Sequence, residues 1–157
     1  MSATAAVLGA SGYAGGELVR LIDEHPGLRL DYLGAHSSAG AALGDVHPHL
    51  RGQERVLGSL AAGDVPEVDV DFLALPHGAS AEPAMALADR GMRVVDLGSD
   101  FRMDTPKRYF EAYGVEHPYP EQLGRWVYGI PELFGEQIRA ADRVAAPGCY
   151  PTSVILA

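Results

Sequence analysis

The sequence predicts an α/β fold: a Rossmann-like, doubly wound, mostly parallel sheet with flanking helices. Two observations predict it. Short apolar runs alternate with stretches whose apolar residues recur at helical spacing, the pattern of parallel strands joined by crossover helices. The first of these runs passes directly into a glycine-rich turn that opens a helix. The length, 157 residues, suits one domain with a real core.

The elements follow in order. Ala5 to Leu8 is a strand, and Gly15 to Glu24 a helix with Leu18, Val19, Leu21 and Ile22 on its apolar side. Pro26-Gly27 stops it. Leu28 to Ala35 is a second strand and Val70 to Leu75 a third. Ala79 to Asp89 is a helix stopped at Gly91, and Arg93 to Leu97 a strand. Thr105 to Tyr113 is a helix with Thr105 as N-cap and Pro106 in its first position. Val115 to Gly129, rich in Pro, Tyr and Gly, is expected to be irregular. Leu133 to Ala141 is a short helix, Arg143 to Ala146 a last strand, and Cys149 to Ala157 the start of another helix. This divides the chain into a dinucleotide-binding domain, 1–147, and a cysteine turn, 148–157, that begins a second domain cut short in mid-helix.

Charge and composition exclude several classes. A net charge of −9 gives no general attraction to nucleic acid or anionic membrane. No apolar run approaches a membrane span, and Met1 to Thr4 has no basic signal-peptide region. The single cysteine, Cys149, cannot form an internal disulfide and fits a reducing, cytoplasmic setting. His47-Pro48-His49 lacks the further ligands of a metal site, so no metal is expected and a solvated or cofactor-adjacent loop is the reading. Asp69, Asp71 and Glu121 read as solvated charges.

Gly9-Ala10-Ser11-Gly12-Tyr13-Ala14-Gly15 has the spacing G-x-x-G-x-x-G between a strand and a helix. Such a turn needs glycine to bend sharply and to let the backbone approach a pyrophosphate at the helix N-terminus. Gly9, Ser11, Gly12, Tyr13, Ala14 and Gly15 are therefore candidate cofactor-binding residues. A P-loop is excluded, since no Gly-Lys-Ser/Thr follows. Dinucleotide folds selective for NAD carry a carboxylate at the end of the second strand, to hold the ribose 2′-OH. Here Ser37 and Ser38 stand there instead, able to donate to a 2′-phosphate, so NADP is the expected cofactor.

Cys149 lies in Ala146-Pro147-Gly148-Cys149-Tyr150-Pro151-Thr152, between a strand end and a new helix. Gly148 is read as permitting an unusual backbone turn and Pro151 as the first helical position. A thiol on such a turn suits acyl transfer. A buried structural cysteine is the other reading these residues leave open.

Five motifs carry a resemblance: the glycine turn, Leu75-Pro76-His77-Gly78, Asp100-Phe101-Arg102, Tyr128-Gly129-Ile130-Pro131-Glu132-Leu133 and Pro147-Gly148-Cys149-Tyr150-Pro151-Thr152. In this order they resemble the N-acetyl-gamma-glutamyl-phosphate reductase family over the whole chain. The last motif is the most specific and the glycine turn the least.

The resemblance implies NADPH-dependent reduction of an acyl phosphate to an aldehyde, with phosphate release through a Cys149 thioester, in arginine biosynthesis. It implies that Leu75, Pro76, His77 and Gly78 line the cofactor side and that Arg102 and Tyr128 face substrate. It further implies a second part of comparable length, bearing the catalytic histidine, most of the substrate pocket and the interface of a homo-oligomer. None of His25, His36, His47, His49, His77 and His117 stands where that histidine is expected, so the chain alone is expected to be inactive. Two alternatives remain: a reductase of the aspartate-semialdehyde or aminoadipate type, and a non-catalytic dinucleotide-binding module.

Overall fold

The computed structural model describes residues 2–157. Six strands form one sheet in the order β2-β1-β3-β4-β6-β5, and every adjacent pair is parallel. The strands are β1 (Ala3–Leu8), β2 (Leu28–Gly34), β3 (Val70–Leu73), β4 (Val94–Asp96), β5 (Val127–Tyr128) and β6 (Arg143–Ala145). The helices are α1 (Tyr13–Glu24), the single-turn α2 (Leu43–Val46), α3 (Ala81–Asp89), α4 (Pro106–Tyr113), α5 (Pro131–Ala140) and α6 (Cys149–Ile155). This is the doubly wound parallel fold that the alternation of runs predicts.

The period-two geometry of strands distributes the core over both faces of the sheet. Ala5 and Val7 of β1 pack with Val19 and Ile22 of α1 in one cluster. Ala6 and Leu8, the alternate residues, join Leu73 of β3 and Ala84, Leu87 and Ala88 of α3 in the other. A buried aromatic group extends this second cluster, where Phe101 stacks on Trp126 at a centroid separation of 4.0 Å and Tyr109 meets His117 edge-on at 4.7 Å.

Helix ends obey local chemistry. Thr105 accepts a hydrogen bond from the Arg108 amide, Pro106 opens α4, and Gly114 closes it in the left-handed region at φ 72°. Leu75 lies beyond the end of β3, which stops at Leu73, and α1 begins at Tyr13, two residues earlier than its apolar spacing indicates. The segment read as irregular, 115–129, contains β5, whose Val127 and Tyr128 pair with Val144 and Ala145. Two residues are too few for periodicity to register; the strand exists because β6 presents an open edge.

Because all strands are parallel, their C-terminal ends share one edge of the sheet. The glycine turn, residues 74–80, residues 97–102 and the cysteine turn all leave the sheet at that edge, where open α/β sheets bind ligands.

Candidate active site

The glycine turn is built by steric necessity at two of its three glycines. Gly9 has φ +91°, and a Cβ there would lie 2.3 Å from the Ala74 carbonyl oxygen. A Cβ on Gly15 would lie 2.1 Å from the carbonyl oxygen of Gly9, so strand and helix could not close on each other. Gly12 differs: it is the N-cap of α1, and the nearest atom to a Cβ there would be 3.4 Å away. Among the described residues no side chain caps α1, so the first-turn amides of Tyr13, Ala14 and Gly15 are available to an anion. Tyr13 is fully exposed beside them.

His47 supports this turn from below. It is buried, its Nε2 lies 2.7 Å from the Ala10 carbonyl oxygen, and its ring fills the space left by Gly16. The solvated reading of His47 is thus corrected; Gly16, the fourth glycine of the segment, was the available signal that something packs there.

Beyond β2, Ser37 is exposed and Ser38 half-buried. Their neighbour His36 lines a cleft of about 500 Å³ with Leu60, Leu75, Pro76 and Pro83. The cleft is apolar, close to the amides of the glycine turn in the fold's order of strands, and of a size for a planar base. These residues fit a dinucleotide: free helix amides for its pyrophosphate, hydroxyls for its ribose and an apolar slot for a base.

The loop after β3 is clamped by two buried carboxylates. Asp100 accepts hydrogen bonds from the amides of Gly78 (2.8 Å), Ser80 (3.0 Å) and Ala81 (2.9 Å). It therefore caps the N-terminus of α3 from a different loop. Asp96 accepts from the Ser80 hydroxyl at 3.0 Å and from the Gly98 amide. Burial pushes the Asp96 carboxyl up to about 6, against those two hydrogen bonds, which favour its charged form. His77 is half-exposed, contacts Ser99 through Nδ1 and packs against Tyr113 with the rings tilted and their centroids 4.4 Å apart.

Cys149 is exposed and is the first residue of α6. In this chain the thiol is open to reagents. Two details of the turn are corrected. Gly148 is the N-cap, with ordinary extended angles of φ −72° and ψ 160°, so it supplies no unusual turn. It supplies room, since a Cβ there would lie 3.1 Å from Arg102 Nη1. Pro151 stands in the third helical position, where its missing N–H is still not needed.

Arg102 is committed to backbone carbonyls. Its Nε donates to the Ala146 carbonyl and its Nη2 to the Leu97 carbonyl, both at 2.8 Å, bracing the cysteine turn to the end of β4. Arg102 and Tyr128 line one cleft of about 300 Å³. The structure thus gathers the glycine turn, Leu75 to Gly78, Arg102, Tyr128 and Cys149 at one edge, with Ser37 and Ser38 at its far end.

Fold and site define a dinucleotide-binding domain with an exposed thiol at the ligand-binding edge. A family model described as "Semialdehyde dehydrogenase, NAD binding domain" matches residues 4–141, and the chain belongs to that family. It is 46% identical, over its whole length and 45% of the relative's, to an N-acetyl-gamma-glutamyl-phosphate reductase of Arthrobacter sp.. It is also 46% identical, over 98% of its length and 44% of the relative's, to a [LysW]-L-2-aminoadipate 6-phosphate reductase of Deinococcus radiodurans. The chain therefore spans less than half the length of these relatives. Among solved structures, aspartate semialdehyde dehydrogenase II of Vibrio cholerae shares the fold, with a TM-score of 0.65 over 96% of this chain and 43% of that one, at 20% identity. The resemblance read from the five motifs stands.

Proposed function

We propose that this chain is the cofactor-binding and thiol-bearing part of an NADPH-dependent N-acetyl-gamma-glutamyl-phosphate reductase acting in arginine biosynthesis in the cytoplasm. The observation that carries the reading is the exposed Cys149, on the turn beyond β6, at the same sheet edge as the uncapped glycine turn. The full activity belongs to a homo-oligomer whose remaining residues complete the substrate pocket.

The thiolate of Cys149 attacks the acyl carbon, the carbon–oxygen bond to phosphate breaks, and inorganic phosphate leaves with the bonding pair. A thioester on Cys149 remains. Reduced NADP, when bound, supplies the hydride that converts a thioester to an aldehyde and frees the thiolate. Arg102 holds the cysteine turn through Ala146 and keeps Nη1 on the side of Gly148, toward the departing anion. Gly9, Ser11, Gly12, Tyr13, Ala14 and Gly15 hold the pyrophosphate, Ser37 and Ser38 the 2′-phosphate. Leu75, Pro76, His77 and Gly78 line the cofactor, and Tyr128 shares the substrate side with Arg102.

A second reading is favoured by one finding: the Deinococcus reductase, named for aminoadipate phosphate, is as similar as the Arthrobacter enzyme. Both readings share the chemistry and differ in substrate length. A chimera tests the chemistry that both readings share, with this chain replacing the matching first part of the Arthrobacter relative. NADPH oxidation with N-acetyl-gamma-glutamyl phosphate, lost in Cys149→Ser, is the expected outcome. Undiminished turnover in Cys149→Ser would overturn the thioester reading; the substrate is read with the full-length protein, where turnover with the aminoadipate phosphate alone would select the second.

A further inference from the structure

The turn after β4 bonds to two different parts of the ligand edge within three residues. Asp100 is fully buried, and its two oxygens accept three amide hydrogens from the loop after β3 and the start of α3. Two residues later, Arg102 donates to the Ala146 carbonyl, three residues before Cys149. Its second bond, to Leu97, fastens the same guanidinium to the base of its own turn. The Ala146 amide in turn donates to the Asp96 carbonyl at 2.8 Å.

The consequence is mechanical. Leu75 and Pro76 line the apolar cleft, and Gly78 is gripped by Asp100. Whatever seats in that cleft fixes the loop, the loop fixes Asp100, and Asp100 shares a short turn with Arg102. We infer that Asp100 is a positioning residue that couples occupancy of the cofactor cleft to the placement of the Cys149 turn, through Arg102 and the Ala146 carbonyl. This rests on the cofactor reading above. Asparagine cannot replace it: an amide offers one acceptor oxygen where three N–H groups converge and turns its own N–H bonds toward one of them.

The probe is 2′,5′-ADP, which carries the adenine and the 2′-phosphate but no nicotinamide, and so cannot itself shield the thiol. Its binding to the chain is measured by titration calorimetry, and the rate of Cys149 alkylation by iodoacetamide is measured with and without it. Saturating 2′,5′-ADP is expected to change the alkylation rate of the parent by on the order of fivefold, the lower end of coupling between distinct sites. In Asp100→Asn that response disappears. Arg102→Met, which severs the other end, also loses it and covers the case in which Asp100→Asn does not fold. Ser80→Ala removes only the hydroxyl bond to Asp96 and keeps the response. A response in both Asp100→Asn and Arg102→Met equal to the parent's overturns the coupling, and so does a parent that binds the ligand with no change in alkylation. A parent that does not bind 2′,5′-ADP overturns the cofactor reading itself, and the coupling with it.

Discussion

His47 and Gly16 occupy one space: a Cβ on Gly16 would lie 2.6 Å from the imidazole Cε1. The ring fits there only because the helix has no side chain at that point, and from there its Nε2 reaches the Ala10 carbonyl. Gly16→Ala is expected to destabilise the chain by roughly 1–3 kcal/mol through overpacking. In a His47→Ala background the same change is expected to cost nothing and to recover about 1 kcal/mol of helix propensity. Urea unfolding of the two single variants and the double variant measures the difference. Additive effects would show that ring and glycine do not share the space.

Asp71 gives a pH-dependent stability with a definite sign. It is fully buried on the α3 side of the central strand β3, and neither carboxylate oxygen has a hydrogen-bond partner among the described residues. Burial pushes it up to about 7, with the charge of Arg90 acting the other way. The folded state keeps its proton while the unfolded state loses it near 4, so stability falls as pH rises from about 4 to about 7 and then levels. The loss attributable to Asp71 is on the order of 4 kcal/mol. Asp96, raised to about 6, adds a smaller fall of the same sign. Asp71→Val is expected to be more stable than the parent at pH 8 and to show a shallower fall between pH 5 and pH 8. Equal slopes in thermal melts of the two proteins would remove Asp71 as the cause.

The sequence made the frame of the fold legible because strands β1 to β4 and helices α1, α3 and α4 have strong local signals: apolar runs, a glycine turn, a Thr105-Pro106 cap. It concealed what depends on partners distant along the chain. Val127-Tyr128 is a strand only through Val144 and Ala145. Asp71 looks like a surface charge because its alternating neighbours are Val70 and Phe72, yet β3 is covered on both faces. The glycines of the turn were legible as glycines, whereas the roles of Asp100 and Arg102 rest on bonds to residues about 20 and 44 positions away.

The 2′-phosphate preference should be reversible at one position. Ser37 is exposed three residues beyond β2, with no carboxylate adjacent to it in the sequence. The chain is expected to bind NADPH more tightly than NADH. Ser37→Asp is expected to weaken NADPH by about tenfold, roughly 1.4 kcal/mol, through repulsion of the 2′-phosphate, while leaving NADH little changed. Calorimetric titration of both cofactors against both proteins reads this directly. An equal loss for NADH and NADPH would place the serine away from the 2′ position.

An acyl-transfer cycle through a thiol must move a proton. A general base has to come within hydrogen-bond reach of the thiol, and among the described residues no histidine hydrogen-bonds Cys149. His47 is buried against the glycine turn and His117 against Phe101 and Tyr109, with burial lowering the affinity of His117 for a proton. His25 ends α1, a crossover helix that runs back to the opposite edge of the sheet. His36 follows β2, four strand positions from β6, or about 19 Å at the spacing of a sheet. His49 belongs to the same side as His47, with the two rings 5.4 Å apart. Among the exposed histidines His77 is the nearest by strand order, yet β3 and β6 are two positions apart, about 10 Å, and its Nδ1 is engaged by Ser99. Cys149 can therefore be alkylated in the 157-residue chain, but steady-state NADPH oxidation with N-acetyl-gamma-glutamyl phosphate is expected to stay near background. The chimera with the Arthrobacter relative should turn over in the same assay. Turnover by the chain alone, abolished by His77→Gln, would instead make His77 the base and would require the loop after β3 to swing across β4.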